Sequence, residues 1–250
     1  MKRWQLLLAV VFALTFCLQF GVHAATLTVS IHNEAPVPVP VHFAGGEWRV
    51  GAPGNEVFTH QTAQGRIQLV GALDPDPTIN FGAAVTDFGA ASPFSFTFIL
   101  PLAAQGSVVK DSFSGSVTNA AGSGVTVTAL APPAGIPVDG DGITEVEVYT
   151  LSDDGGVSWK NVGLDLMPTT VVPLPVGDSG LTGAFNEGPI PVIAGGPWTH
   201  MRADVNFSLT GGGDIFTFNG SKHLVPEPSA LALLLVSLAT FCCGRRLAVR

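Results

Sequence analysis

Asp139-Gly140-Asp141-Gly142 is the stretch of this chain best suited to chemistry. Two carboxylates one residue apart, with glycines between and after them, can converge on a hard cation such as Ca²⁺. The EF-hand pattern is not completed, because position 143 is Ile and the twelfth position from Asp139 is Thr150. Asp139 and Asp141 therefore stand as candidate metal ligands, with a plain acidic turn as the alternative and no other cofactor implied. A glycoside-cleaving pair needs two carboxylates about 5–10 Å apart, one with a raised pKa. With 18 acidic residues between Ala25 and Val225, some pair will meet that distance by chance, and nothing selects it. No Gly-x-Ser-x-Gly elbow occurs, and His32, His42, His60, His200 and His223 show no His-x-His or His-x-x-x-His spacing. No catalytic residue is assigned, and the chain is expected not to be an enzyme, with an unrecognised hydrolase as a minor alternative. Trp48, Trp159 and Trp198 form the other candidate set, since exposed indoles stack on sugar rings. Their alternative reading is core or sheet-edge packing.

Charge narrows the partners. The span from Ala25 to Val225 carries 6 basic and 18 acidic residues, a net charge of −12. Six scattered cations cannot form the basic footprint that nucleic acid requires. The same span holds none of the 3 cysteines, which are Cys17, Cys242 and Cys243. It has no disulfide staple and must rest on an apolar core, for which about 200 residues suffice.

The elements that must position these residues are strands. Thr26-Leu27-Thr28-Val29-Ser30-Ile31-His32 and Phe94-Ser95-Phe96-Thr97-Phe98-Ile99-Leu100 alternate with the period of a half-buried strand. Along Glu145-Val146-Glu147-Val148-Tyr149 the same alternation turns Glu145 and Glu147 to water and the valines to the core. Val205, Phe207 and Leu209, the turn Thr210-Gly211-Gly212-Gly213, and Phe216 with Phe218 read as a hairpin. Asn206 reads as an outward strand residue, and Asn219-Gly220 as a turn. With 30 Gly and 19 Pro no window supports a long helix. The expected fold is an all-β antiparallel sandwich. Residues 131–142, rich in Pro and Gly, are the best linker if residues 25–225 divide in two.

Both ends carry targeting features. Lys2 and Arg3, an apolar run to Phe20 and Val22-His23-Ala24 form a secretory signal peptide over residues 1–24, cleaved between Ala24 and Ala25. At the other end Val225-Pro226-Glu227-Pro228-Ser229 precedes an uncharged run, Ala230 to Cys243, and then Arg245-Arg246. As a helix that run spans about 21 Å, short of the roughly 30 Å hydrocarbon core, and the arginines hold its end on the cytoplasmic side.

Pro226-Glu227-Pro228, the short hydrophobic helix and the arginine cluster together resemble the PEP-CTERM sorting signal of Gram-negative bacteria. The resemblance covers residues 226–250 alone. It implies export through the Sec translocon, transient anchoring in the inner membrane, and removal of the tail by an exosortase-like enzyme. The destination it implies is the cell envelope or the extracellular polysaccharide. The expected function is a non-enzymatic envelope or matrix protein, structural or adhesive, with an exopolysaccharide-binding module as the main alternative.

Overall fold

The computed structural model describes residues 24–226 apart from 103–105, 121, 123 and 193–195. The signal peptide before Ala24, and Glu227, Pro228, the hydrophobic segment, Arg245 and Arg246, lie outside the described residues. Ala24 is exposed, Ala25 is buried, and Pro226 ends the last strand.

The described residues contain strands and no helix, arranged as two antiparallel sheets. Nine strands form the first sheet. Its backbone path runs β12 (Lys160–Asn161), β11 (Glu145–Ser152), β16 (His200–Leu209), β8 (Pro93–Pro101), β1 (Thr26–Ile31) and β2 (Val37–Pro38). Strands β10 (Val125–Ala129), β13 (Leu166–Pro168) and β14 (Thr170–Val172) join off that path. Eight strands form the second, in the order β15 (Ser179–Pro191), β9 (Gly106–Thr118), β17 (Ile215–Pro226), β7 (Thr78–Asp87), β6 (Gly65–Asp74), β4 (Glu47–Val50) and β3 (Val41–Ala44), with β5 (Phe58–Gln61) on β6. Each sheet interleaves strands from both sides of residues 131–142, which themselves hold no strand.

Period-2 alternation builds the core. In β8 the fully buried Phe94, Phe96, Phe98 and Leu100 share one face, and in β1 Leu27, Val29 and Ile31 match them. Opposite, Phe81, Phe113, Phe216 and Phe218 point inward from the second sheet. Phe207 sits at the junction, its ring centroid 5.7 Å from Phe94, 5.0 Å from Phe216 and 5.6 Å from Phe218. Gly220 faces this cluster because a Cβ there would collide with the Phe81 ring.

The hairpin expected over 205–218 is replaced by an arch. β16 belongs to the first sheet and β17 to the second, so Phe207 meets Phe216 and Phe218 across the core and not alongside them. Gly211, Gly212 and Gly213, at φ of 92°, 73° and 95°, carry the chain between layers. The Gly212 and Gly213 N–H groups donate to the carbonyls of Gly89 and Asp87 and tie the arch down. Asn219-Gly220 is likewise no turn but the middle of β17, paired with β7 and β9. Asn206 lies on the outer face of its sheet yet is 4% exposed, where its Oδ1 accepts the Ser95 hydroxyl at 2.7 Å.

Strand β11 departs furthest from expectation. All eight of its residues are buried, and Glu147 is turned to the second sheet, not to water. There it meets Lys222 of β17, which in turn contacts Asp111 of β9. A cation from the facing sheet makes the inward orientation of a carboxylate tolerable, which an alternation rule based on hydropathy cannot register.

Candidate metal centre

The loop that enters β11 wraps the acidic residues around one point. The Asp141 N–H donates to Asp139 Oδ1 at 3.1 Å, and the Ile143 N–H to Asp141 Oδ1 at 2.6 Å. These local turns use the left-handed backbone of Gly140 and Gly142, at φ of 89° and 87°. They bring a carboxylate oxygen from each of Asp139, Asp141 and Glu145 within 4.8 Å of one another. Asp139 and Asp141 are exposed, whereas Glu145 is 6% exposed and its Oε2 has no hydrogen-bond partner among the described residues.

Asp165 braces this arrangement from behind. Its carboxylate accepts the Asp139 N–H at 3.1 Å and the Asn161 amide at 3.0 and 2.9 Å. Burial, opposed by the Asn161 bonds, pushes its pKa up to about 6. Glu145 is pushed further, to about 7, first by burial and then by the charges of Asp141 and Asp139. A cavity of about 440 Å³ opens beside the carboxylates, bounded by Met167 and Pro168 of β13 and by Phe185 and Glu187 of β15. Met167 holds φ of 66°, a left-handed conformation that costs a non-glycine residue about 1–2 kcal/mol. Such strain gathers at sites where surrounding structure fixes the backbone.

The spacing suits a cation. Ca²⁺ binds oxygens at about 2.4 Å, so two ligands on opposite sides of it stand at most about 4.8 Å apart. A divalent ion here would offset both the mutual repulsion and the burial that raise Glu145. Ca²⁺ takes six to eight oxygens, so three carboxylates leave positions for water or a ligand. The sequence supplied Asp139 and Asp141. The third group, Glu145, was hidden by the strand alternation that assigned it to solvent.

The tryptophans are not gathered onto one face. Trp48 of β4 packs against the core side of the second sheet, its ring centroid 5.1 Å from that of Phe43 in an edge-to-face arrangement. Trp198 is 3% exposed, with the Lys160 ammonium 5.4 Å from its ring. Trp159, half-buried before β12, lies under the Arg202 guanidinium at 5.4 Å. The outer face of the second sheet instead carries an open groove of about 620 Å³, lined by Arg49, Glu56, Asn80 and Asn219 together with Val70 and Ala72.

No protein-family model matches the chain, and neither does any curated protein. Among solved structures it resembles TmCBM61 in complex with beta-1,4-galactotriose, at 11% identity and a TM-score of 0.29, over 63% of this chain and 88% of that one. Likeness of this size does not transfer a ligand.

Proposed function

We propose that this protein is an exported, non-enzymatic component of the cell envelope or extracellular matrix, structural or adhesive in role, whose β-domain takes up Ca²⁺ at Asp139, Asp141 and Glu145. The observation that carries the cation reading is the Glu145 carboxylate: buried, without a hydrogen-bond partner at Oε2 among the described residues, and converging with two exposed aspartates. Export rests on the two terminal segments and their resemblance to a signal peptide and a PEP-CTERM tail, with the Sec translocon, an exosortase-like enzyme and transiently the membrane as partners. An acidic, cysteine-free domain built on a large aromatic core suits that setting. Extracellular sites of this kind bind Ca²⁺ with Kd of about 10⁻⁴–10⁻³ M.

Binding of exopolysaccharide is the second reading, favoured by the open groove in which Arg49, Glu56, Asn80 and Asn219 stand beside Val70 and Ala72. Calorimetric titration of the full chain with CaCl₂, beside a glycan array with and without Ca²⁺, tests both. The cation reading expects saturable heat that disappears in Glu145→Gln; a featureless titration overturns it. Glycan capture that survives chelation and is lost in Asn80→Ala favours the polysaccharide module.

A further inference from the structure

The cluster of Lys222, Asp111 and Glu147 lies at the centre of the sandwich and belongs to no site described above. All three side chains have no solvent exposure, and the Lys222 ammonium contacts both Asp111 Oδ1 and Glu147 Oε2. Lys222 and Asp111 are register partners on adjacent strands β17 and β9, while Glu147 reaches them from β11 of the other sheet. The pair is walled by Val109 and Leu224 on one side, by Phe113 and Gly220 on the other, and by the Tyr149 ring, whose centre is 5.9 Å from Nζ.

As an ion cluster this is a poor arrangement. One cation faces two carboxylates in a dry interior, and Asp111 Oδ2, Glu147 Oε1 and the Tyr149 hydroxyl have no hydrogen-bond partner among the described residues. Buried charges need their remaining polar atoms satisfied to offset desolvation. As a reacting set the same arrangement is complete. A nucleophilic amine touches a carboxyl group, a second carboxyl touches the amine, and neither partner must be recruited from solution.

We propose that Lys222 and Asp111 become joined by a side-chain amide, with Glu147 as the group that carries the proton. In this enclosure the Lys222 ammonium first passes one proton to the Asp111 carboxylate it contacts, and the lone pair of the neutral amine then attacks Asp111 Cγ, forming the C–N bond. Glu147 takes a proton from Nζ and delivers it to the departing Asp111 oxygen, the C–O bond breaks, and one water leaves. Carboxyl plus amine gives amide plus water, so Glu147 is restored and no oxidant or activating group is consumed. Burial supports the chemistry. It pushes Asp111 up to about 6, which favours the protonated carboxyl that can lose water. The same enclosure shields the product from hydrolysis. The bond would tie β17, the strand that leads to the C-terminal segment, to β9 in a domain that has no cysteine between Ala25 and Val225. This inference does not depend on the reading of the cation site.

The test is peptide mapping of the full chain after denaturation and tryptic digestion. The amide predicts that the peptide Asp111–Lys160 is joined to the one that begins at Ala203, that cleavage after Lys222 is blocked, and that the joined mass is one water below the sum. Lys222→Arg keeps the charge and must abolish the link. Glu147→Gln keeps the shape and must abolish or greatly slow it. Separate, unmodified peptides from the wild-type chain overturn the proposal without reference to any variant, and a full yield of the link in Glu147→Gln overturns the role of Glu147.

Discussion

Raising the pH from 6 to 8 should strengthen the stabilisation that Ca²⁺ gives this protein. Glu145, held up at about 7, must lose its proton to act as a ligand. It is ionised in about a tenth of molecules at pH 6 and about nine tenths at pH 8, so this group alone raises the apparent affinity about tenfold. Without metal the sign is opposite. A carboxyl with a folded-state pKa above its unfolded value of 4.5 binds more protons when folded. Its contribution to stability is therefore complete below about pH 4.5 and lost as pH rises through about 7. With Kd near 10⁻⁴ M at pH 8, about 10 mM Ca²⁺ is a hundredfold excess and stabilises by about 2.7 kcal/mol; at pH 6 a tenfold excess gives about 1.4 kcal/mol. For a domain of this size those values correspond to rises in Tm of about 5–10 °C and about half that. Scanning calorimetry of the full chain in CaCl₂ and in EDTA at both pH values reads the difference. Equal shifts at pH 6 and pH 8, or an undiminished shift in Glu145→Gln, would refute the assignment of Glu145 as the titrating ligand.

Other substitutions test the scaffold and the bracing of the site. Phe207→Ala empties the junction of rings from both sheets and should cost about 3–5 kcal/mol in a urea melt. Gly220→Ala forces a methyl group into the Phe81 ring and should cost about 1–3 kcal/mol, and restoring the space with Phe81→Leu should recover part of that loss. Asp165→Ala leaves the Asp139 N–H without its acceptor and the Asn161 amide with only the Pro137 carbonyl, so it should cost about 1–3 kcal/mol and weaken Ca²⁺ binding although Asp165 is no ligand.

Much of the architecture is legible in the chain because it follows from alternation. Phe94, Phe96 and Phe98 announce an inward face, and β8 presents it. Residues 153–159, opening with Asp-Asp-Gly-Gly, connect β11 to β12. Where the reading failed, partners distant in sequence decided the outcome. Val205–Phe218 has the local signature of a hairpin, but strands joined by an arch show the same alternation and the same glycines. Only the long-range pairing of β16 with β8 and of β17 with β7 and β9 separates the two cases. Alternation turns Glu147 to solvent because its compensating charge is 75 residues away and in the other sheet. A signal was nevertheless present. Lys222 continues the inward series Phe216, Phe218, Gly220, and Asp111 lies between Val109 and Phe113. Opposite charges at two apolar-phase positions are a mark of buried pairing that hydropathy alone averages away. For the metal site, Asp139 and Asp141 could be named from composition, whereas Glu145 required the path of the loop.

Export and removal of the tail are tested most directly by the termini of the native protein. Mass spectrometry of protein recovered from the envelope and the extracellular polysaccharide of its host should find Ala25 at the N-terminus and a C-terminus at or near Pro226-Glu227-Pro228, with the hydrophobic segment and Arg245-Arg246 gone. Recovery of the protein with Arg250 intact would contradict processing of the tail, and recovery with Met1 still attached would contradict cleavage between Ala24 and Ala25.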